Sequence, residues 1–149
     1  MSLLIVGSIA LDNVKTPFGK VEQSLGGSAV YTSMVSKNFC NSHIVGIVGE
    51  DFPKEHFELL NRNKIDTTDL KVVPGRTFHW SGVYNDMNKA ETLDTQLNVF
   101  ADFDPELCDG NRNCDYLFLG NIDPVLQLKV LKQMNNAKIT ACDTMNFWI

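Results

Sequence analysis

Leu3-Leu4-Ile5-Val6-Gly7-Ser8-Ile9-Ala10-Leu11-Asp12 opens the chain and decides how the rest is read. Four large apolar residues in succession, without polar alternation, suit a strand covered on both faces. Gly7-Ser8 ends that strand, and a carboxylate, Asp12, follows a few residues later. The same stretch resembles the apolar core of a secretory leader only at first sight. No basic residue precedes it, Gly7 and Ser8 interrupt it, and Asp12 stands where a cleavage site belongs. No apolar run reaches the roughly 18 residues of a membrane-spanning helix.

Working outward, similar strands recur with helical stretches between them. Gly26-Gly27-Ser28 leads into a predicted helix over residues 29–39, with Ser28 as its cap and Val30, Met34 and Val35 on its apolar face. Residues 43–48 form a second apolar strand ending at Gly49. Asp51 and Pro53 then open a helix to about Asn63, with Phe57 and Leu60 facing the core. Tyr116-Leu117-Phe118-Leu119 is a third strand, Asp123-Pro124 caps a helix over 125–134, and residues 139–142 form a fourth strand. Four covered strands with helices between them predict an α/β fold with a parallel sheet.

Two stretches break this rhythm. Residues 13–25 contain Pro17 and Gly19 and read as a loop or short edge strand, and Asp66-Thr67-Thr68-Asp69 reads as a turn. Residues 70–100 lack helical period. Between Thr77 and Tyr84 the pattern alternates, with Phe78, Trp80, Gly82 and Tyr84 on one face, and residues 92–100 suit another strand. An antiparallel insert with one aromatic face is expected there. That face either covers a ligand or packs on the sheet.

The 149 residues carry 13 Lys+Arg against 18 Asp+Glu, a formal charge of −5, which leaves no basic field for nucleic acid or an anionic membrane surface. Cys40, Cys108, Cys114 and Cys142 make no Cys-x-x-Cys pair, so a zinc site is disfavoured and reduced thiols in a cytoplasmic protein are expected. His43, His56 and His79 are scattered and read as structural. The first strand is not followed by Gly-x-Gly-x-x-Gly, and no Gly-x-x-x-x-Gly-Lys-Ser/Thr occurs, which argues against a dinucleotide turn and a P-loop.

Ligands of an open parallel sheet sit at the carboxyl ends of its strands. Asp12 with Asn13, Gly49-Glu50-Asp51, Gly120-Asn121 and residues 143–146 end there. Carboxylates, carboxamides and open backbone N–H groups suit a polyhydroxylated ligand. Asp12 either takes ligand hydroxyls or closes a local turn. Gly26-Gly27 either permits close ligand approach or is a plain turn.

Together these stretches resemble the amino-terminal half of ribokinase-like (PfkB-type) carbohydrate and nucleoside kinases. Residues 4–12 look like that family's first strand and substrate-binding Asp. Leu25-Gly26-Gly27-Ser28-Ala29 resembles its Gly-Gly motif, and Val45-Gly46-Ile47-Val48-Gly49-Glu50-Asp51-Phe52 its second-strand motif. Gly120-Asn121 and Asp143-Thr144-Met145-Asn146 are similar to later strand-end motifs near the cleft.

The resemblance implies a three-layer α/β/α fold with a mainly parallel sheet and a small antiparallel β-lid, the lid insert spanning about 13–25 and 69–100. It implies substrate contacts from Asp12, Asn13, Gly26, Gly27, Tyr31, Phe78, Trp80, Asn121 and Asn146, with Tyr31 standing where the family often has Asn. It implies ATP and Mg²⁺ as cofactors of a full-length enzyme, a small sugar or nucleoside as partner, and a homodimer formed through the lid. The family's Gly-Ala-Gly-Asp motif, which carries the catalytic base, does not occur in these residues. The chain therefore reads as the substrate-binding part of a sugar kinase, incomplete at its C-terminus and inactive alone. The alternatives are a naturally short, non-catalytic sugar- or nucleoside-binding module, or part of an adenosine-type nucleoside kinase.

Overall fold

A computed structural model describes residues 1–144. Asn146, one of the expected substrate contacts, lies outside the described residues.

The main sheet has five parallel strands in the order β5-β4-β1-β8-β9. They are β1 (Ser2–Val6), β4 (Asn41–Gly49), β5 (Asp66–Val73), β8 (Tyr116–Leu119) and β9 (Ile139–Cys142). β1 lies at the centre, and its side chains alternate between two cores. Leu4 and Val6 enter a core with Leu117, Leu119, Phe103 and Val130. Ile5 enters the other, with Val30, Ile44, Val48 and Leu60. Helices α1 (Ser28–Ser36) and α2 (Lys54–Arg62) supply the second core, and α3 (Pro124–Leu131) the first. The result is three layers, α/β/α.

A second sheet of four strands has the order β3-β2-β6-β7, from β2 (Ala10–Thr16), β3 (Gly19–Gly26), β6 (Phe78–Asp86) and β7 (Lys89–Gln96). It consists of two antiparallel hairpins, β2–β3 and β6–β7, whose inner strands β2 and β6 pair in parallel.

The structure corrects the sequence reading in several places. Residues 13–25, read as loop or edge strand, belong to the β2–β3 hairpin. Asp66-Thr67-Thr68-Asp69, read as a turn, begins β5, so residues 70–73 lie in the main sheet and not in the insert. The strand expected over 92–100 is β7 at 89–96, followed by a 3-10 turn at Asn98–Asp102.

The caps differ too. Asp123 caps α3 as expected, its Oδ1 accepting from Val125 N at 2.7 Å with Pro124 in the first turn. Ser28 does not cap α1. Gly27 holds the N-cap position without a side-chain bond, and the cap is supplied from outside the helix. Val35 points to solvent, and Ala29 and Ser33 are buried in its place. Asp51 does not cap α2; its carboxylate is held by Thr77. Among the described residues no helix is long and apolar enough to cross a membrane.

Candidate functional site

The strand order turns over between β1 and β8. After β1 the chain moves toward β4 and β5 with α1 and α2 on one face; after β8 it moves to β9 with α3 on the other. The carboxyl ends of β1 and β8 thus flank the topological switch point, where open α/β sheets bind ligands. Ser8 follows β1 and Asn121 follows β8, and both line a cavity of about 530 Å³ there. Phe78 of the second sheet lines the same cavity, with Phe100, Ile122 and Leu126. Phe78 stacks on Phe100 at 5.4 Å between centroids, and Phe100 on Phe103 at 5.6 Å. The second sheet therefore leans its aromatic face on the strand ends of the first.

Asp12 lies on that aromatic face. Its register partner across the β2–β6 ladder is Trp80, two pairs beyond Ala10 with Phe78 and so on the same face. The Trp80 ring lies along its strand above Gly82, where an added Cβ would sit 2.1 Å from the ring, and its Nε1 donates to Thr92 Oγ1 at 3.2 Å. Partial burial pushes the Asp12 carboxyl up from 3.8 to about 6, with His79 opposing the shift. Tyr31 on α1 comes close to Asp12 and Tyr84. Its phenol is raised above the ordinary range by burial first, then by those two neighbours, although the side chain is 59% exposed.

Both glycines of the pair are needed, for contacts within the chain. Gly26 lies against the Asp12 carboxylate, and Gly27, at φ 98°, lies against the Ser8 carbonyl, 2.3 Å from where a Cβ would stand. That close approach lets Ser8 cap α1. Ser28 N donates to Ser8 Oγ at 3.0 Å and Ala29 N to Ser8 O at 3.1 Å, while Ser8 N donates to Ser28 Oγ at 3.2 Å. Two of the donors that a helix start leaves open are thereby used. Ser8 thus occupies part of the α1 N-terminus.

Asp12, Gly26, Tyr31, Phe78, Trp80 and Asn121 are thus gathered on the side of the second sheet that meets the switch point. Asn13 is not among them. Neighbouring residues of a strand point to opposite faces, and Asn13 bonds His79 on the far side of the second sheet. Ser8 and Thr77 are the residues that sequence reasoning missed. Thr77 is 1% exposed; its N and Oγ1 both donate to Asp51 Oδ1 at 2.7 Å, and its Oγ1 accepts from Gly49 N at 3.0 Å. It fastens the root of β6 to the end of β4. Among the described residues no group of three His, Cys, Asp or Glu side chains is placed to hold a metal ion.

No protein-family model matches the sequence, and no curated protein matches it. Solved structures do match the fold. A nucleoside kinase of Methanocaldococcus jannaschii, described as an archaeal member of the ribokinase family, aligns over 97% of this chain and 52% of its own, with a TM-score of 0.74 and 19% identity. A Burkholderia thailandensis nucleoside kinase in complex with inosine aligns over 97% and 52%, with a TM-score of 0.75 and 13% identity. A Cryptococcus neoformans ribokinase in complex with ADP aligns over 97% and 51%, with a TM-score of 0.71 and 15% identity. The chain spans about half the length of these structures. Its fold is ribokinase-like.

Proposed function

We propose that these residues are the acceptor-binding part of an ATP-dependent PfkB-type kinase that moves the γ-phosphoryl group to a hydroxyl of a sugar. The observation that carries the reading is the Asp12 carboxylate, which lies against Gly26 on the aromatic face that meets the switch point. An ionised carboxylate there accepts hydrogen bonds from two ligand hydroxyls and so orients a third for in-line attack. Trp80 and Phe78 roof the acceptor and exclude water, which is the work a lid does in phosphoryl transfer.

ATP is the expected phosphoryl donor. Residues 1–149 alone are expected to bind acceptor without turning it over. We also place the protein in the cytoplasm, on its four unpaired thiols, and expect a second copy to cover Phe18 and Met87 at the tips of the two hairpins, 88% and 57% exposed.

A second reading, nucleoside as acceptor, is favoured by the Phe78–Phe100–Phe103 stack, whose flat rings suit a base better than a bare sugar. Calorimetric titration with ribose, fructose and inosine separates the two. The proposal expects at least one to bind, with affinity lost in Asp12→Ala. Binding of none of them, or binding indifferent to Asp12→Ala, removes it.

A further inference from the structure

The far face of the second sheet borders another cavity, of about 600 Å³. Asn13, His79 and Gln96 line it from the second sheet, and Asp51 and Arg76 line it from the loops that follow β4 and β5. Leu11 is an apolar patch in its wall.

Several of these polar groups have their bonding decided. Asn13 Oδ1 accepts from Gln23 N at 2.8 Å, so its Nδ2 is the donor to His79 Nε2 at 3.2 Å. Ser81 Oγ is 3.2 Å from the same nitrogen. Nε2 is therefore an acceptor, and the ring proton sits on Nδ1, which has no hydrogen-bond partner among the described residues. Gln96 uses its NH₂ on Asp94, and Asn98 uses its NH₂ on Thr77 O, leaving two carboxamide oxygens as acceptors.

The charges are unequal in their partners. Asp51 is engaged by Thr77, and Glu22 is paired with Lys20. Arg76 O accepts from Val99 N at 3.1 Å, but the Arg76 guanidinium makes no hydrogen bond or ion pair among the described residues. One guanidinium fork without a counter-ion, beside carboxamide acceptors and an imidazole N–H, matches an anion carried on a hydroxylated carbon chain.

We propose that this cavity is a second small-molecule site, on the face away from Asp12, for a small anionic polyol, either a sugar phosphate or a sugar acid. Arg76 takes the anion; Gln96, Asn98 and His79 take hydroxyls. Because the walls come from both sheets, the ligand braces the second sheet against the strand ends of the first. The site is independent of the kinase reading.

The test is titration of the isotope-labelled full chain, followed by amide NMR, with ribose 5-phosphate, gluconate, ribose and inorganic phosphate. The expected result is binding of ribose 5-phosphate or gluconate at about millimolar or tighter, with shifts at Arg76, His79 and Gln96. Whichever of the two binds more tightly identifies the anion. Arg76→Gln, at an exposed side chain without a partner among the described residues, should weaken binding about tenfold. The proposal is overturned if neither anionic polyol moves those signals at roughly 10 mM. It is also overturned if ribose or inorganic phosphate alone binds as well, or if Arg76→Gln binds like the parent.

Discussion

A Cβ at position 26 would lie 1.9 Å from Oδ2 of Asp12, so Gly26 and the Asp12 carboxylate adjoin with no room for a side chain between them. Gly26→Ala must therefore turn the carboxylate away. Misplacing an orienting group by an ångström costs about a hundredfold, and a similar loss of acceptor affinity is expected. Far-ultraviolet circular dichroism of the variant should match the parent, which separates a displaced carboxylate from a lost fold.

Asp12 also sets a pH dependence. Its carboxyl is raised to about 6 by burial, so the charge that receives hydroxyls disappears as pH falls through that value. Acceptor affinity should drop between about pH 7 and 5, and Asp12→Asn should flatten the profile. Stability runs the other way. The folded state binds this proton more tightly than the unfolded chain, whose value is near 3.8, so the contribution is complete below about pH 4 and is lost as pH rises through about 6. Discounted for the solvent this half-buried group still meets, Asp12→Asn should stabilise the fold at neutral pH by about 1 kcal/mol. Urea unfolding at pH 4 and pH 7 measures both ends.

Ser8→Ala removes the hydroxyl that accepts from Ser28 N and leaves an orphan donor at the start of α1. A loss of about 1–2 kcal/mol is expected. For a chain of this size that lowers the melting midpoint by roughly 2–8 °C. Ser8→Thr, which keeps an acceptor, is the comparison.

Thr77→Val deprives buried Gly49 N of its acceptor and Asp51 of one donor while preserving side-chain shape. We expect a cost of about 2–3 kcal/mol. Because these bonds root β6, limited proteolysis should cut first between residues 78 and 96. An even loss of stability without local cleavage would show that Thr77 does not anchor the hairpin.

β1 and β4 were legible because their apolar runs are largely buried on both faces, and Asp123-Pro124 was legible because its cap is local. β9 was expected to be covered as well, but it is the edge strand and is exposed along its length. β5 was hidden. Its Asp69 is a buried carboxylate in a strand, tolerated because Cys108 N and Asn111 Nδ2 donate to it from a distant loop. The β2–β3 hairpin was hidden because much of it is exposed and shows no one-sided apolar pattern. Asp12 and the Gly-Gly pair stood out as residue types. Asn13 was grouped with Asp12 because two adjacent polar residues look alike until a strand separates them by face. Ser8 and Thr77 act through partners 20 or more residues away, which no local pattern encodes.

The parallel pairing of β2 with β6 sets an order of events during folding. Asp12 meets Trp80 only after the chain has passed through α1, β4, α2 and β5, so the binding face has high contact order. The β2–β3 hairpin has no flanking strand of its own until β6 arrives, and isolated hairpins are marginal in water. The face that receives the acceptor is thus a late product of folding. During synthesis a ligand can stabilise the nascent chain only after residue 80 has emerged, and before then nothing protects β2 and β3 from mispairing.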